Sequence, residues 1–313
     1  MFHSDGQSYF VVDGHVHFWD GSPANQINRY GEGFVRGLYG FHRRLSPDEH
    51  RWTLEEFERY PEQRLIDDLF EAGPDDVAIL QPTGRPDWFV NGFETTEQNG
   101  EIAQRHPGRF IVNGRWDPRD GEAGLAELEA LHERWQLPGV LVGPAEWKGI
   151  SKGWRLSDPW AHRYLEKCQE LGIRNIHVHP TNGDLADVDD AATAFPGLRF
   201  FVEHVGLPRI EDFCWTAAQE PNVYGGLAVA LPFLHTRPRY FARIIGELLY
   251  WIGENRILFG SNYAVGHPKW LVERFVDFQI PDDLQSEYGV LTPAIKQKIL
   301  GLNAAHLYDL KVE

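Results

Sequence analysis

Two histidines one residue apart, His15 and His17, follow the apolar and aromatic run Tyr9-Phe10-Val11-Val12. Such a run reads as a buried β-strand, and residues i and i+2 of a strand point to one side. Both imidazoles can therefore face a single point in space. Imidazole nitrogen is a good ligand for a borderline divalent ion such as zinc. The plain alternative is a pair of surface histidines at a strand-to-loop junction. The pattern recurs further along. Asn175-Ile176-His177-Val178-His179-Pro180 ends in a second H-x-H, with His179 at the strand's lip and His177 one layer deeper on the same side. Phe200-Phe201-Val202-Glu203-His204 ends in a histidine, and Ile257-Leu258-Phe259-Gly260-Ser261-Asn262-Tyr263 ends in a polar triplet. A lone histidine after a strand is usually a hydrogen-bonded structural residue. Three such strand ends form a joint signal wherever the fold gathers strand ends into one crater.

That condition turns on the elements. Apolar strands are expected over 10–13, 77–81, 110–114, 140–142, 175–179, 200–203, 223–229 and 257–259. Amphipathic segments alternate with them over 62–72, 94–105, 125–135, 160–171, 185–195, 240–253 and 269–278. Eight strands in alternation with helices make an α/β chain of the (β/α)8 TIM-barrel kind, whose strand ends build one site. An open doubly wound sheet would show fewer strands and a glycine-rich turn after the first, which is missing here. The chain reads as one domain over 1–313. An insertion, 18–61, follows strand one and carries the aromatic, glycine-rich stretch 31–41; it reads as a lid, a subunit contact or a packed excursion. A helical tail over 292–310 places Ile295, Ile299, Leu302 and Leu307 at helical spacing, packed on the barrel's flank or bottom.

Composition narrows the function classes. The 313 residues are 42% hydrophobic, 24% charged and 13% aromatic, with a net charge of -16, which suits a soluble globular chain. An acidic surface argues against nucleic acid and against anionic lipid. No apolar run reaches the roughly 18 residues of a membrane span, and the N-terminus lacks signal-peptide character. Cys168 and Cys214 are far apart and form no C-x-x-C pair, so a reducing cytoplasm is the expected compartment.

With these residues in view, the sequence resembles the amidohydrolase superfamily, in its amidohydrolase 2 branch of aminocarboxymuconate semialdehyde decarboxylase-like proteins. The match rests on Val12-Asp13-Gly14-His15-Val16-His17, His179-Pro180, Glu203-His204-Val205-Gly206, 257–263 and the closing segment 299–308. The resemblance implies a distorted TIM barrel with one divalent metal, usually Zn2+, with Fe2+ or Mn2+ as the other candidates. His15, His17 and His179 would be ligands, and His204 the acid/base beside metal-bound water.

One position departs from that pattern. The branch places an aspartate at the end of strand eight, where this chain has Asn262. An amide can offer its carbonyl oxygen to the metal but cannot serve as a base near neutral pH. Three neutral histidines and an amide leave the site at +2, so metal affinity should fall and water activation should rest on His204 or Glu203. Three outcomes are open: a decarboxylase or other lyase, a hydrolase of an easy ester or lactone, and a barrel kept as a binding or assembly partner of another protein. The first two imply a small carboxylated or cyclic substrate.

Other mouth residues are second candidates. Arg85 and Arg115 follow strands two and three and could clamp a carboxylate bidentately; each could equally be a surface arginine paired locally. Glu146 and Lys148 follow strand four, and His235 and His267 follow strands seven and eight. Trp19, Trp88 and Trp147 could wall an aromatic pocket, though packing accounts for any one of them. His177 is included as a deeper substrate contact. A homo-oligomer built through the insertion is expected by analogy.

Overall fold

The computed structural model describes residues 1–179 and 185–312. Eight short parallel strands form the TIM-barrel core: β1 Val12–Val16, β2 Val77–Leu80, β3 in two pieces (Phe110–Val112 and Gly114–Arg115), β4 Gly139–Val142, β5 Asn175–Val178, β6 Arg199–Val202, β7 Val223–Gly226 and β8 Ile257–Leu258. Each pairs in parallel with its sequence neighbour from β1 to β8. The seam between β8 and β1 is a bridge rather than a continuous ladder. It consists of the Val16–Tyr263 pairing with Gly14 N–H to the Phe259 carbonyl at 3.1 Å, His17 N–H to the Tyr263 carbonyl at 2.9 Å and Asn262 N–H to the His15 carbonyl at 2.9 Å. Gly14 is required at this seam, because a Cβ there would lie 2.8 Å from the Phe259 carbonyl oxygen.

Val, Ile, Leu and Phe dominate the strands because both faces are covered, one by the barrel interior and one by helices. Helices follow the strands, among them Thr96–Arg105, Gly121–Trp135, Pro159–Leu171, Ala186–Ala194, Pro238–Ile252 and Pro268–Asp277. The helix Ile210–Gln219 after β6 holds Cys214, which the sequence places in a helix without bounds; Ile210, Phe213, Cys214 and Ala217 recur there at helical spacing and are buried. The strand expected over 223–229 stops at Gly226 and gives way to a 3-10 turn, Ala228–Ala230. Among the described residues no helix is long and apolar enough to cross a membrane.

Two segments outside the repeat shape the ends of the barrel. Between β1 and the helix Glu62–Ile66, the chain forms a long helix, Arg29–Leu45, capped by the Asn28 side chain accepting from Tyr30 N–H at 3.0 Å. Four glycines lower its intrinsic propensity, but packing overrides propensity: Val35 and Leu45 are buried, and His42 ties the helix down. The His42 Nδ1–H donates to the Val265 carbonyl at 3.0 Å, and its Nε2 accepts from Trp52 N–H at 2.8 Å. The tail folds as Pro293–Gln297, Lys298–Leu302 and Asn303–Leu307 and closes the opposite end. Its Ile299 carbonyl accepts from Phe259 N–H at 2.9 Å, and Asn303 Nδ2 donates to the Ile257 carbonyl at 2.8 Å. Ile299 and Leu307 are buried as expected, whereas Leu302 is 38% exposed and faces away from the barrel.

Candidate metal centre

The C-terminal ends of β1, β5, β6 and β8 converge, and with them four imidazoles. His15 is still within β1, and His17 follows it. Their Nε2 atoms face each other at 3.0 Å. His179, just past β5, and His204, just past β6, form a second pair with Nε2 atoms 2.9 Å apart. His15 stands between the pairs, with ring centroids 5.3 Å from His204 and 6.4 Å from His179. Among the described residues no three His, Cys, Asp or Glu side chains form a ready coordination shell, so the donors stand as two pairs rather than as a closed tripod.

The partners on the far side of each ring fix the tautomers. The His17 Nδ1–H is shared by the Gln81 carbonyl at 2.7 Å and Glu94 Oε2 at 2.8 Å, both acceptors only. His15 Nδ1 faces Glu203 Oε2 at 2.9 Å, at an angle more bent than an ideal hydrogen bond. His17 Nδ1 carries its proton toward its acceptors, and the Glu203 carboxylate beside His15 Nδ1 favours the same tautomer there, an arrangement in which both Nε2 atoms present lone pairs to the same gap. Two lone pairs at that distance repel unless a proton or cation stands with them. Two ligands about 2.0–2.1 Å from a tetrahedral zinc would lie roughly 3.3 Å apart, close to the spacing seen. The donor set, imidazole nitrogens with the Asn262 amide beside them, therefore suits a borderline divalent ion.

The second pair is arranged differently. His204 Nδ1 accepts from Val229 N–H at 3.4 Å, so its proton lies on Nε2 and is donated to His179 Nε2. Among the described residues the buried His179 Nδ1 has no partner. Burial and the neighbouring His15 push His179 down to about 4. Burial, with His179 and His15, holds His204 well below the usual imidazole range. Both are neutral near pH 7. Burial also acts to lower His17, but Glu94 and the Gln81 carbonyl outweigh it and hold that ring above its ordinary value.

Glu203 is a strut of the site. Burial would raise its carboxyl, yet His15 and His177 hold it well below the usual carboxylate range. Its Oε1 accepts from the His177 Nδ1–H at 2.6 Å, and His177 Nε2 meets the Tyr308 hydroxyl at 2.6 Å. These bonds correct two expectations. His177 is no substrate contact: it is stacked on Phe201 with centroids 4.4 Å apart, inside the barrel and away from the mouth. Glu203 has both oxygens committed to histidines and is not placed to activate water.

Above the imidazoles lies a cavity of about 350 Å³, lined by His17, His179, His204, Asn262, Arg85 and Glu146 and otherwise mainly by apolar groups. Trp19 is among the latter, its Nε1–H donating to the Phe57 carbonyl at 2.8 Å. The insertion helix contributes Phe34, Leu38, Phe41 and Leu45, and so forms the wall over the histidines. Asn262 holds its place through its backbone, with φ at 57° and its carbonyl accepting from Val265 N–H at 2.7 Å. His204 at φ 60° and Arg85 at φ 67° share this left-handed conformation. Positive φ is uncommon for non-glycine residues and tends to gather where a site aims its side chains.

Glu146 bridges the two arginines. Its Oε1 accepts from Arg85 Nη2 at 3.1 Å and its Oε2 from Arg115 Nη2. The Arg85 guanidinium also lies over Phe34 and Trp88, 4.7 and 5.0 Å from their centroids. Among the described residues, the buried Arg85 Nε and Arg115 Nη1 have no acceptor. Arg115 sits one step back, on a second cavity of about 570 Å³ that also holds Trp88, Trp147 and Lys148 and shares Arg85 and Glu146 with the first. His267 pairs with Asp68 at 3.5 Å, and His235 lies beside Trp270, so neither joins the imidazole cluster. Pro180, named with His179, lies outside the described residues.

Sequence reasoning missed Glu94 and Tyr308. Glu94 stood only as the first residue of an amphipathic segment, and Tyr308 as part of a closing helix. Their partners are 77 and 131 residues away, a distance no local pattern spans.

Comparison with known proteins agrees with this architecture. An uncharacterised TIM-barrel protein from Bordetella bronchiseptica is similar at a TM-score of 0.69 and 18% identity, over 96% of this chain and 98% of the other. An amidohydrolase from Burkholderia multivorans with bound zinc is similar at 0.63 and 17%, over 96% and 100%. A 2,6-dihydroxybenzoate decarboxylase complexed with 2,6-dihydroxybenzoate is similar at 0.62 and 14%, over 97% and 100%. No curated protein matches the sequence. The amidohydrolase family model matches residues 12–310, nearly the whole length, and with that match the chain belongs to the amidohydrolase family of enzymes.

Proposed function

We propose that this enzyme is a metal-dependent lyase that decarboxylates a small, carboxylated cyclic compound, with the ion held by His15 and His17 and completed by His179 and Asn262. The observation that carries the reading is the pair of Nε2 lone pairs of His15 and His17, 3.0 Å apart, with both Nδ1 atoms turned to acceptors. A divalent ion bound there would supply Lewis acidity toward substrate oxygens. The chain's own residues supply the rest. Arg85 lines the cavity with a buried Nε–H that has no acceptor among the described residues, a donor suited to a carboxylate. Trp19, Phe34, Leu38 and Phe93 offer apolar surface for a ring and exclude water from it. His204 stands at the cavity floor, where its ring, after taking up a proton from solvent, can pass that proton to the carbon that loses carbon dioxide and return to the neutral form. Asn262 cannot take a proton from water near neutral pH, which favours decarboxylation over attack by hydroxide. The decarboxylase among the similar structures accords with this choice.

A screen of hydroxybenzoates and alicyclic carboxylates for carbon dioxide release, run beside lactone and ester hydrolysis, tests the assignment. His204→Asn should lower kcat on a decarboxylated substrate by about 10²–10⁴-fold, the usual worth of a positioned acid, with bound metal unchanged. Turnover confined to esters or lactones contradicts it.

A further inference from the structure

The neutral Asn262 leaves an imbalance that the fold answers elsewhere. Three imidazoles and an amide carry no charge, so a dication among them would be uncompensated within its own ligand set. Yet each histidine of β1 rests on a buried carboxylate, His15 on Glu203 at 2.9 Å and His17 on Glu94 at 2.8 Å. The two carboxylates differ in what else they hold. Glu203 divides itself between His15 and His177. Glu94 is fully buried, and its other oxygen accepts only from neutral donors, Phe18 N–H at 3.1 Å and Asn99 Nδ2 at 3.2 Å. Apart from His17, no titratable group among the described residues is bonded to it. The hydrogen bonds of Glu94 therefore tie it to one imidazole, that of His17.

We propose that Glu94 is the charge-balancing residue of the metal centre, supplying through the His17 ring the negative charge that Asn262 does not provide. The inference rests on the metal reading given above. A carboxylate hydrogen-bonded to the far nitrogen of a ligand histidine fixes its tautomer and orientation and raises its basicity, and removal of such a partner typically weakens metal affinity 10–100-fold. Glu94 and Glu203 each place one carboxylate behind a histidine of β1, and two carboxylates match the charge of a divalent ion. Glu94 is a positioning residue; it lies behind the ring and does not line the cavity.

The test is chelator competition for zinc and cobalt on the full chain, with Glu94→Gln, Asn262→Asp and the double variant. Glu94→Gln keeps size and an acceptor but removes the charge. It should raise the metal Kd at least 10-fold and shift the visible bands of the cobalt form. Asn262→Asp added to that background should recover at least 10-fold, while in the unmutated chain it should gain less than threefold. A Kd for Glu94→Gln within threefold of the unmutated chain overturns the inference and leaves the metal reading intact. Should that variant fold poorly, Asn262→Asp alone decides: a gain beyond 10-fold means the charge was never balanced. Failure of the unmutated chain to bind either ion overturns the metal reading, and this inference with it.

Discussion

Replacing Glu146 by Gln tests the arginine wall of the cavity. Glu146 is only 8% exposed at its side chain, and it pairs with Arg85 and Arg115, themselves 11% and 17% exposed. Burial pulls the Arg85 guanidinium below its usual value, and Glu146 acts against that. Burial would raise Glu146, but Arg115 and then Arg85 hold it down. Removing one partner of a buried ion pair costs about 3–5 kcal/mol, because the other charge is left uncompensated. The residual exposure of both arginines, and the amide oxygen that Gln retains, put the expected loss near the lower end, about 3 kcal/mol. That is roughly a hundredfold in the unfolding equilibrium. Urea denaturation at constant m-value reads it directly. The same change frees Arg85 Nη2 for a ligand. A charge-assisted hydrogen bond contributes about 1.5–3 kcal/mol, so benzoate should bind roughly 10-fold or more tightly to Glu146→Gln than to the unmutated protein by calorimetry. The variant thus folds less stably and holds a carboxylate better. Stability within about 0.5 kcal/mol of the unmutated protein, together with unchanged benzoate affinity, would refute the reasoning.

Two further predictions concern the barrel itself. Asp75 is buried, with no partner among the described residues for either carboxylate oxygen, and burial, with Asp13 and Asp76 nearby, raises it well above the usual range. An acid whose folded value is raised binds its proton more strongly in the folded state, so the protein loses stability as pH rises from about 4 through that raised value. Asp75→Asn should remove this loss, and its thermal midpoint should exceed that of the unmutated protein by more at pH 8 than at pH 5; an equal difference at both would contradict the account. A Cβ on Gly301 would sit 1.9 Å from the Phe10 carbonyl oxygen, so Gly301→Ala should cost about 1–3 kcal/mol of stability through overpacking. A denaturation midpoint unchanged by Gly301→Ala would show that the tail does not press on β1.

Much of the barrel was legible because its strands are short apolar runs separated by helical periods, patterns that depend on near neighbours. The i, i+2 rule was enough to bring His15 and His17 together. It also put His177 on the side of His179, one layer deeper, but a strand pattern does not show what fills that layer, and there Phe201, Glu203 and Tyr308 enclose the ring. Helix Arg29–Leu45 was obscured by Gly31, Gly33, Gly37 and Gly40, whose low propensity is overridden by packing over the barrel mouth. Glu94 was hidden for another reason. An acidic residue at the start of a helical segment is ordinary, and only the tertiary fold brings it to His17.

The central claim is that His15 and His17 point their lone pairs at a shared cation. Elemental analysis of protein purified without chelators is the most direct measurement. The account predicts about one zinc, iron or manganese ion per chain, falling below a tenth of that in His15→Ala with the fold retained. A correctly folded, unmutated protein that stays free of metal after supplementation with all three ions would contradict it.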